Sequence, residues 1–255
     1  MPTIKAPKGT IAIEEAVLNQ EGIEWLSESA TLLNPGLKND PNWDPSQFAT
    51  TGYTPALLDI HETRLAKMDA TGVEYMLLSL TSPGPQGEAD PAKAQKIAVN
   101  ANTWLAAEAT KNPTRFGALA SVSMHDAKEA AEEARRAVKE LGAFGLIVND
   151  YQSTGPNGAG KKYYDSKEYR PFWKAVEELD VPVYMHPRYP SAKHLEAGTQ
   201  YGDRRQLLGA AVQFHLDLSM HLYALCSSGV FDEFPRLQLV AGHLGEGYVL
   251  WSPFC

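Results

Sequence analysis

The chain has 255 residues, 44% of them hydrophobic, with 23 Lys and Arg set against 31 Asp and Glu. A net charge of -8 argues against a nucleic-acid partner, because affinity for a phosphate backbone rests largely on basic side chains. No stretch approaches the roughly 20 apolar residues that a membrane span needs, and the first twenty residues hold no apolar signal core.

Cys226 and Cys255 offer neither a disulfide framework nor a zinc-type cysteine pair. A reduced, cytoplasmic setting is therefore expected. The length suits one α/β barrel or two small domains.

Thr10-Ile11-Ala12-Ile13 predicts a first strand that ends in Glu14-Glu15. Adjacent carboxylates at a strand tip point to opposite faces, so at most one faces inward. Alternation groups Glu14 with Ala12 and Glu15 with Ile13, which does not decide which is inside. Residues 17–53 read as an irregular insertion, broken by Asn34-Pro35-Gly36, Asn39-Asp40-Pro41 and Asp44-Pro45. A connection this long is usually a lid or an oligomer contact, and Trp25, Trp43, Phe48 and Tyr53 could dock it.

Thr54-Pro55 opens a predicted helix that runs to Gly72, with Leu57, Leu58, Leu65 and Met68 at helical spacing and His61 on its surface. Val73–Leu80 is the second strand, followed by a Thr-Ser-Pro-Gly-Pro loop. A helix over Ala92–Thr110 leads to a third strand, Phe116–Ala120. Asp126 and Glu129 form a capping box before a helix with Ala127, Ala130, Ala131, Ala134, Val138 and Leu141 on one face. The fourth strand, Phe144–Val148, carries Asn149-Asp150 at its tip. A loop rich in Gly, Asn and Lys follows through Lys162, then a helix with Phe172, Trp173, Val176 and Leu179.

Val181–Met185 reads as a strand buried on both faces. It delivers His186, and Pro187 stops the pairing because it has no N–H to donate. Residues 189–203 form a second insertion, and Arg204–Ser228 reads as one long helix. His215 and His221 lie six residues apart, roughly 600° of helical rotation, and so face different ways. His221 is the better placed of the two to reach a site, but core packing is its leading explanation. The sixth strand, Leu237–Ala241, runs into Gly242-His243-Leu244-Gly245-Glu246-Gly247.

Strands alternate with helices six times, without an internal repeat or a linker, which predicts a single domain over 1–255 with a parallel sheet under helical cover. Polar groups gather at the C-terminal tips of strands one, five and six, where a βα-barrel places its chemistry. A carboxylate and an imidazole from different strands can hold a divalent metal. A His-x-x-Glu pair can handle a proton.

The sequence resembles the nonoxidative aromatic decarboxylases of the amidohydrolase superfamily, of the 2,3-dihydroxybenzoate, γ-resorcylate and salicylate types, and more loosely aminocarboxymuconate-semialdehyde decarboxylase. The resemblance runs from Gly9 to Gly247. It rests on Ile11–Ala16, Arg64–Val73, Leu78–Gln86, Met185–Arg188, and Phe231–Arg236 leading into Gly242–Gly247. It implies a TIM-barrel (β/α)8 fold and one divalent metal ion (Zn, Mg or Mn). The reaction implied is loss of CO2 from an ortho-hydroxybenzoate.

Placed on this chain, the resemblance makes Glu14 and His186 metal ligands and His243 with Glu246 the catalytic dyad. Ser82, Asn149 and Arg188, each beyond a strand end, are the substrate-binding candidates. Many relatives carry Glu-x-His after strand one, where this chain has Ala16, a departure shared with the 2,3-dihydroxybenzoate type. Fewer nitrogen ligands should open the site to Mg²⁺ or Mn²⁺. Relatives assemble as dimers or tetramers, so a homo-oligomer acting on a small aromatic acid is expected. The alternatives are a metal-dependent hydrolase of the same superfamily and an inactive fragment.

Only about six of the eight βα units of a full barrel can be counted, and Tyr248–Cys255 matches neither the family nor a barrel helix. The family's strand-eight Asp, a metal ligand generally assigned as proton donor, has no counterpart here. These features lead to the expectation that the chain is an incomplete reading of its gene, through an unspliced intron or as a short isoform, and is inactive as written.

Overall fold

The computed structural model describes residues 9–19, 22–23, 41 and 54–243. Most of the 17–53 insertion, Glu246 and the 248–255 tail lie outside them, so the readings placed there have no structural counterpart. The described strands and helices are β1 (Thr10–Val17), α1 (Thr54–Leu58), α2 (Thr63–Thr71), β2 (Val73–Leu80), α3 (Pro91–Lys111), β3 (Phe116–Ser121), α4 (Ala127–Lys139), β4 (Gly145–Asn149), β5 (Gln152–Thr154), β6 (Gly160–Lys162), α5 (Arg170–Leu179), β7 (Pro182–His186), α6 (Gln213–Ser227), α7 (Val230–Glu233) and β8 (Gln238–Ala241).

Six strands form one sheet in the order β1-β2-β3-β4-β7-β8, and every neighbouring pair is parallel. These are the six strands expected from the sequence. The sheet curls into a half-barrel. Its convex face is covered by helices, with Leu146, Val148, Val183 and Met185 buried against Ala130, Ala134, Phe172, Trp173 and Val176. On the concave face Leu119, Ile147 and Tyr184 pack together, joined by Leu77 and Val240. Alternation along β7 thus points Val183 and Met185 outward and Tyr184 inward, and His186 follows Tyr184.

Four local expectations are corrected. The helix predicted from Thr54 to Gly72 is two helices, because the Asp59 carboxylate accepts from the backbone N–H groups of Glu62 and Arg64 and starts a new helix there. His61 sits at that break instead of on a helix surface, bonded to Glu108 at 2.8 Å and Asn112 at 2.9 Å. The long helix predicted over 204–228 begins only at Gln213, after Gly209 takes φ +84° and ends any helical run. The loop after Asp150 contains an antiparallel hairpin, β5 with β6.

Asp126 accepts from the N–H groups of Lys128 and Glu129 and caps α4 as expected. No described helix is long and apolar enough to cross a membrane.

Candidate metal centre

The tip of β1 is shaped by a bulge. Ala12 pairs with Met76 and Glu15 with Leu78, so Ile13 and Glu14 together stand opposite Leu77. The extra residue breaks the alternation that grouped Glu14 with Ala12. Glu15 instead takes the helix side of the strand, where it meets Arg64 on α2 at 3.0 Å, and Glu14 is left for the concave face. Arg64 also bonds the Ala16 and Ala56 carbonyls, tying α1 and α2 to the β1 tip.

Glu14 meets residues from the opposite side of the half-barrel. Its Oε1 lies 3.1 Å from His186 Nε2 and 3.7 Å from His243 Nε2, and the Tyr184 hydroxyl donates to its Oε2. One donor atom from each of Glu14, His186 and His243 falls within 4.8 Å of the others. The three side chains are 34%, 16% and 25% exposed, which leaves them open to a ligand. Burial pushes the Glu14 carboxyl up, but the bonds from His186 and Tyr184 and the pull of both imidazoles outweigh it and hold it below its ordinary value. Burial raises the Glu15 carboxyl above its ordinary value despite Arg64, and the nearby Glu14 adds to the rise.

The donor chemistry fits a cation. His186 Nδ1 faces the Pro187 carbonyl at 2.5 Å. A carbonyl only accepts, so Nδ1 carries the hydrogen and the Nε2 lone pair points at Glu14. A lone pair and a carboxylate oxygen 3.1 Å apart require either a proton or a metal ion between them. One carboxylate and two imidazoles are a divalent-metal donor set.

His243 is presented by a close backbone approach. The Gly242 N–H donates to the Met185 carbonyl at 2.8 Å. A Cβ on Gly242 would fall 2.6 Å from that carbonyl oxygen and 2.9 Å from the Tyr184 ring. His243 then takes φ +50°, with its ring against His186 and Phe214.

The other candidates surround this cluster in different ways. Ser82 donates to the Pro187 carbonyl at 3.3 Å. Asn149 is paired with His186 in the ladder and donates through Nδ2 to the Pro83 carbonyl and to Gln86. Its buried Oδ1 has no hydrogen-bond partner among the described residues. Arg188 is 4% exposed, and its guanidinium is directed to the Gln86 and Tyr151 carbonyls at 2.6 and 3.0 Å and stacked on the Tyr151 ring. It braces three loops. Tyr184 was missed as a site residue, although its place two residues before His186 marks it as facing the same way.

A half-barrel with carboxylate and imidazole side chains converging at its strand tips defines a protein of the βα-barrel class with a candidate metal site. The chain belongs to the amidohydrolase family, whose model matches residues 54–253. It is 45% identical over 197 residues to the γ-resorcylate decarboxylase of Rhizobium sp. (strain MTP-10005), covering 76% of this chain and 59% of that protein.

Among solved structures, a 2,6-dihydroxybenzoate decarboxylase complexed with 2,6-dihydroxybenzoate superposes with a TM-score of 0.80 at 39% identity, covering 95% of this chain and 70% of that one. The dihydroxybenzoic acid decarboxylase of Polaromonas sp. JS666, with bound manganese and the inhibitor 2-nitroresorcinol, gives 0.80 at 37%, covering 95% and 68%. The chain thus spans just under three fifths of the Rhizobium protein's length.

Proposed function

We propose that Glu14 and His186 hold a divalent metal ion, with His243 beside it as the proton donor, and that the protein serves the nonoxidative decarboxylation of an ortho-hydroxybenzoate. The observation that carries this reading is the convergence of the three donors at one end of the sheet. The decarboxylase relatives, one holding a dihydroxybenzoate and another manganese, support the substrate class and the metal. One carboxylate and one imidazole leave the site open to Mn²⁺, Zn²⁺ or Mg²⁺.

When bound, the metal would polarise the carboxylate and adjacent hydroxyl of such an acid. Glu14 contributes the negative charge and is oriented by the Tyr184 hydroxyl. His186 presents Nε2 because Nδ1–H is held by the Pro187 carbonyl. His243 is proposed to deliver a proton from Nε2 to the ring carbon that bears the carboxylate, with Glu246 as its dyad partner. As CO2 leaves, the C–C electron pair returns to the ring and restores aromaticity.

Asn149 and Ser82 would border the substrate, with the Asn149 amide bonds to the Pro83 carbonyl and Gln86 fixing that wall. Arg188 shapes that wall through the carbonyls it holds. A cytoplasmic homo-oligomer belongs to the same reading, and light scattering at micromolar concentration tests the assembly.

The deciding experiment incubates the Mn²⁺-loaded protein with 2,6-dihydroxybenzoate and follows CO2. Release that disappears in His186→Ala supports the proposal. Hydrolysis of a lactone or amide without CO2 release would replace it with the hydrolase reading.

A further inference from the structure

Behind the β4 tip lies a buried acid–imidazole pair whose side chains touch none of the three donors. Asp150 and His221 have side chains 1% and 0% exposed, and their Oδ1 and Nδ1 atoms lie 3.1 Å apart. The other ring nitrogen settles which atom carries hydrogen. The Tyr164 N–H donates to His221 Nε2 at 3.1 Å, so Nε2 keeps its lone pair and Nδ1–H points at Asp150. The second oxygen of Asp150 is buried with no hydrogen-bond partner among the described residues. A fold with no use for this carboxylate would do better with an apolar side chain of similar size.

The use is visible in the backbone. The Asp150 N–H donates to the His186 carbonyl at 2.8 Å, one step beyond the last ladder pair, Asn149 with His186. The Tyr164 hydroxyl donates to the Asn149 carbonyl at 2.7 Å, and Trp173 Nε1 donates to the Tyr164 carbonyl at 2.9 Å. The pair is thereby fastened to α5 and α6 and to the tip of β4. On the far side of His186, its own Nδ1–H and the Ser82 hydroxyl both reach the Pro187 carbonyl. The Pro187 carbonyl holds the His186 ring through Nδ1–H, and the Asp150 N–H grips the carbonyl just before it.

We propose that Asp150 and His221 are positioning residues for His186, setting the orientation in which its Nε2 faces Glu14. This rests on the reading of His186 as a ligand. The test uses the full chain and the variants Asp150→Ala, His221→Phe and Asp150→Asn. His221→Phe keeps a ring but loses the Nδ1 donor, and Asp150→Asn keeps the accepting oxygen.

Two quantities are read: the ring ¹⁵N signals of His186 in metal-free protein, assigned against His186→Gln, and the Mn²⁺ dissociation constant. The expected result is a single Nδ1–H tautomer for His186 in the parent and in Asp150→Asn, and averaged ring signals in the other two. Mn²⁺ affinity should fall about 10-fold or more in those two, the size typical of lost outer-shell support. A purely structural role would lower the melting temperature and move neither quantity.

Unchanged ring signals and affinity in folded Asp150→Ala or His221→Phe would overturn the proposal. So would averaged signals in Asp150→Asn, the variant required to fold under this account. If the parent binds no Mn²⁺, the metal reading fails, while the metal-free ring signals still decide the positioning role.

Discussion

Glu14 and Glu15 share a peptide bond yet face opposite sides of β1, Glu14 toward His186 at 3.1 Å and Glu15 toward Arg64 at 3.0 Å. Alternation separates the two, and the bulge opposite Leu77 decides that Glu14 is the one facing inward. Glu14→Gln should therefore lower Mn²⁺ affinity by about 100-fold or more, since it removes the one anionic donor of the cluster. Glu15→Gln should leave that affinity unchanged and loosen the α2 attachment. Calorimetric titration of both variants checks the contrast, and equal losses would contradict the assigned faces.

Gly242→Ala tests how His243 is delivered. Its Cβ would meet the Met185 carbonyl oxygen at 2.6 Å, so β8 must move away from β7 or lose a ladder bond. A stability loss of about 1–3 kcal/mol is expected, the usual cost of overpacking. Weaker metal binding should accompany it. Urea unfolding and a Mn²⁺ titration together provide the check.

Arg188 offers a sharper distinction. Its two carbonyl bonds and its place over Tyr151 need a planar fork, which lysine lacks. Arg188→Lys should cost about 1–3 kcal/mol of stability, because buried carbonyls lose their donors. A raised KM with unaltered stability would instead mean that the guanidinium meets the substrate.

The caps predict the acid behaviour. Asp126 sits below its ordinary value chiefly because the Glu129 N–H donates to it, and Asp59 sits low because the bonds from residues 62–64 outweigh its burial. A carboxyl lowered on folding adds stability above its unfolded pKa and loses it as pH falls through the folded value. The parent should therefore lose stability on acidification below about pH 4, near the ordinary aspartate value. Asp126→Ala should cost about 1 kcal/mol at pH 7 and show a flatter acid limb. Urea midpoints measured between pH 7 and pH 3 would test both statements.

The six sheet strands were legible because each apolar run is bounded by Gly, Pro or a capped helix, and Pro187 marks the end of β7 in the sequence itself. Glu14 was not legible as the inward carboxylate from the residues alone. A bulge adds a residue without any local signature, and only pairing with β2 exposes it. The helix break at Asp59 was hidden for a related reason. Its carboxylate competes for the N–H groups of Glu62 and Arg64 inside a run whose apolar spacing reads as one continuous helix. His61 and His221 were treated as a surface and a core histidine, and their partners Glu108, Asn112 and Asp150 come from elements distant in sequence.

Glu14 lies on one lateral edge of the sheet, and His243 follows the other. All other strand pairings join β-strands consecutive along the sheet's path, so each can add to the one before it. The contacts of Glu14 with Tyr184, His186 and His243 cannot form that way, because nearly the whole described chain must first be folded between them. They carry the largest loop-closure cost in the sheet, and contacts of high sequence separation slow folding. Ligand geometry is thus a late event in refolding. Helical circular dichroism should recover first, and the capacity to bind Mn²⁺ should lag behind it.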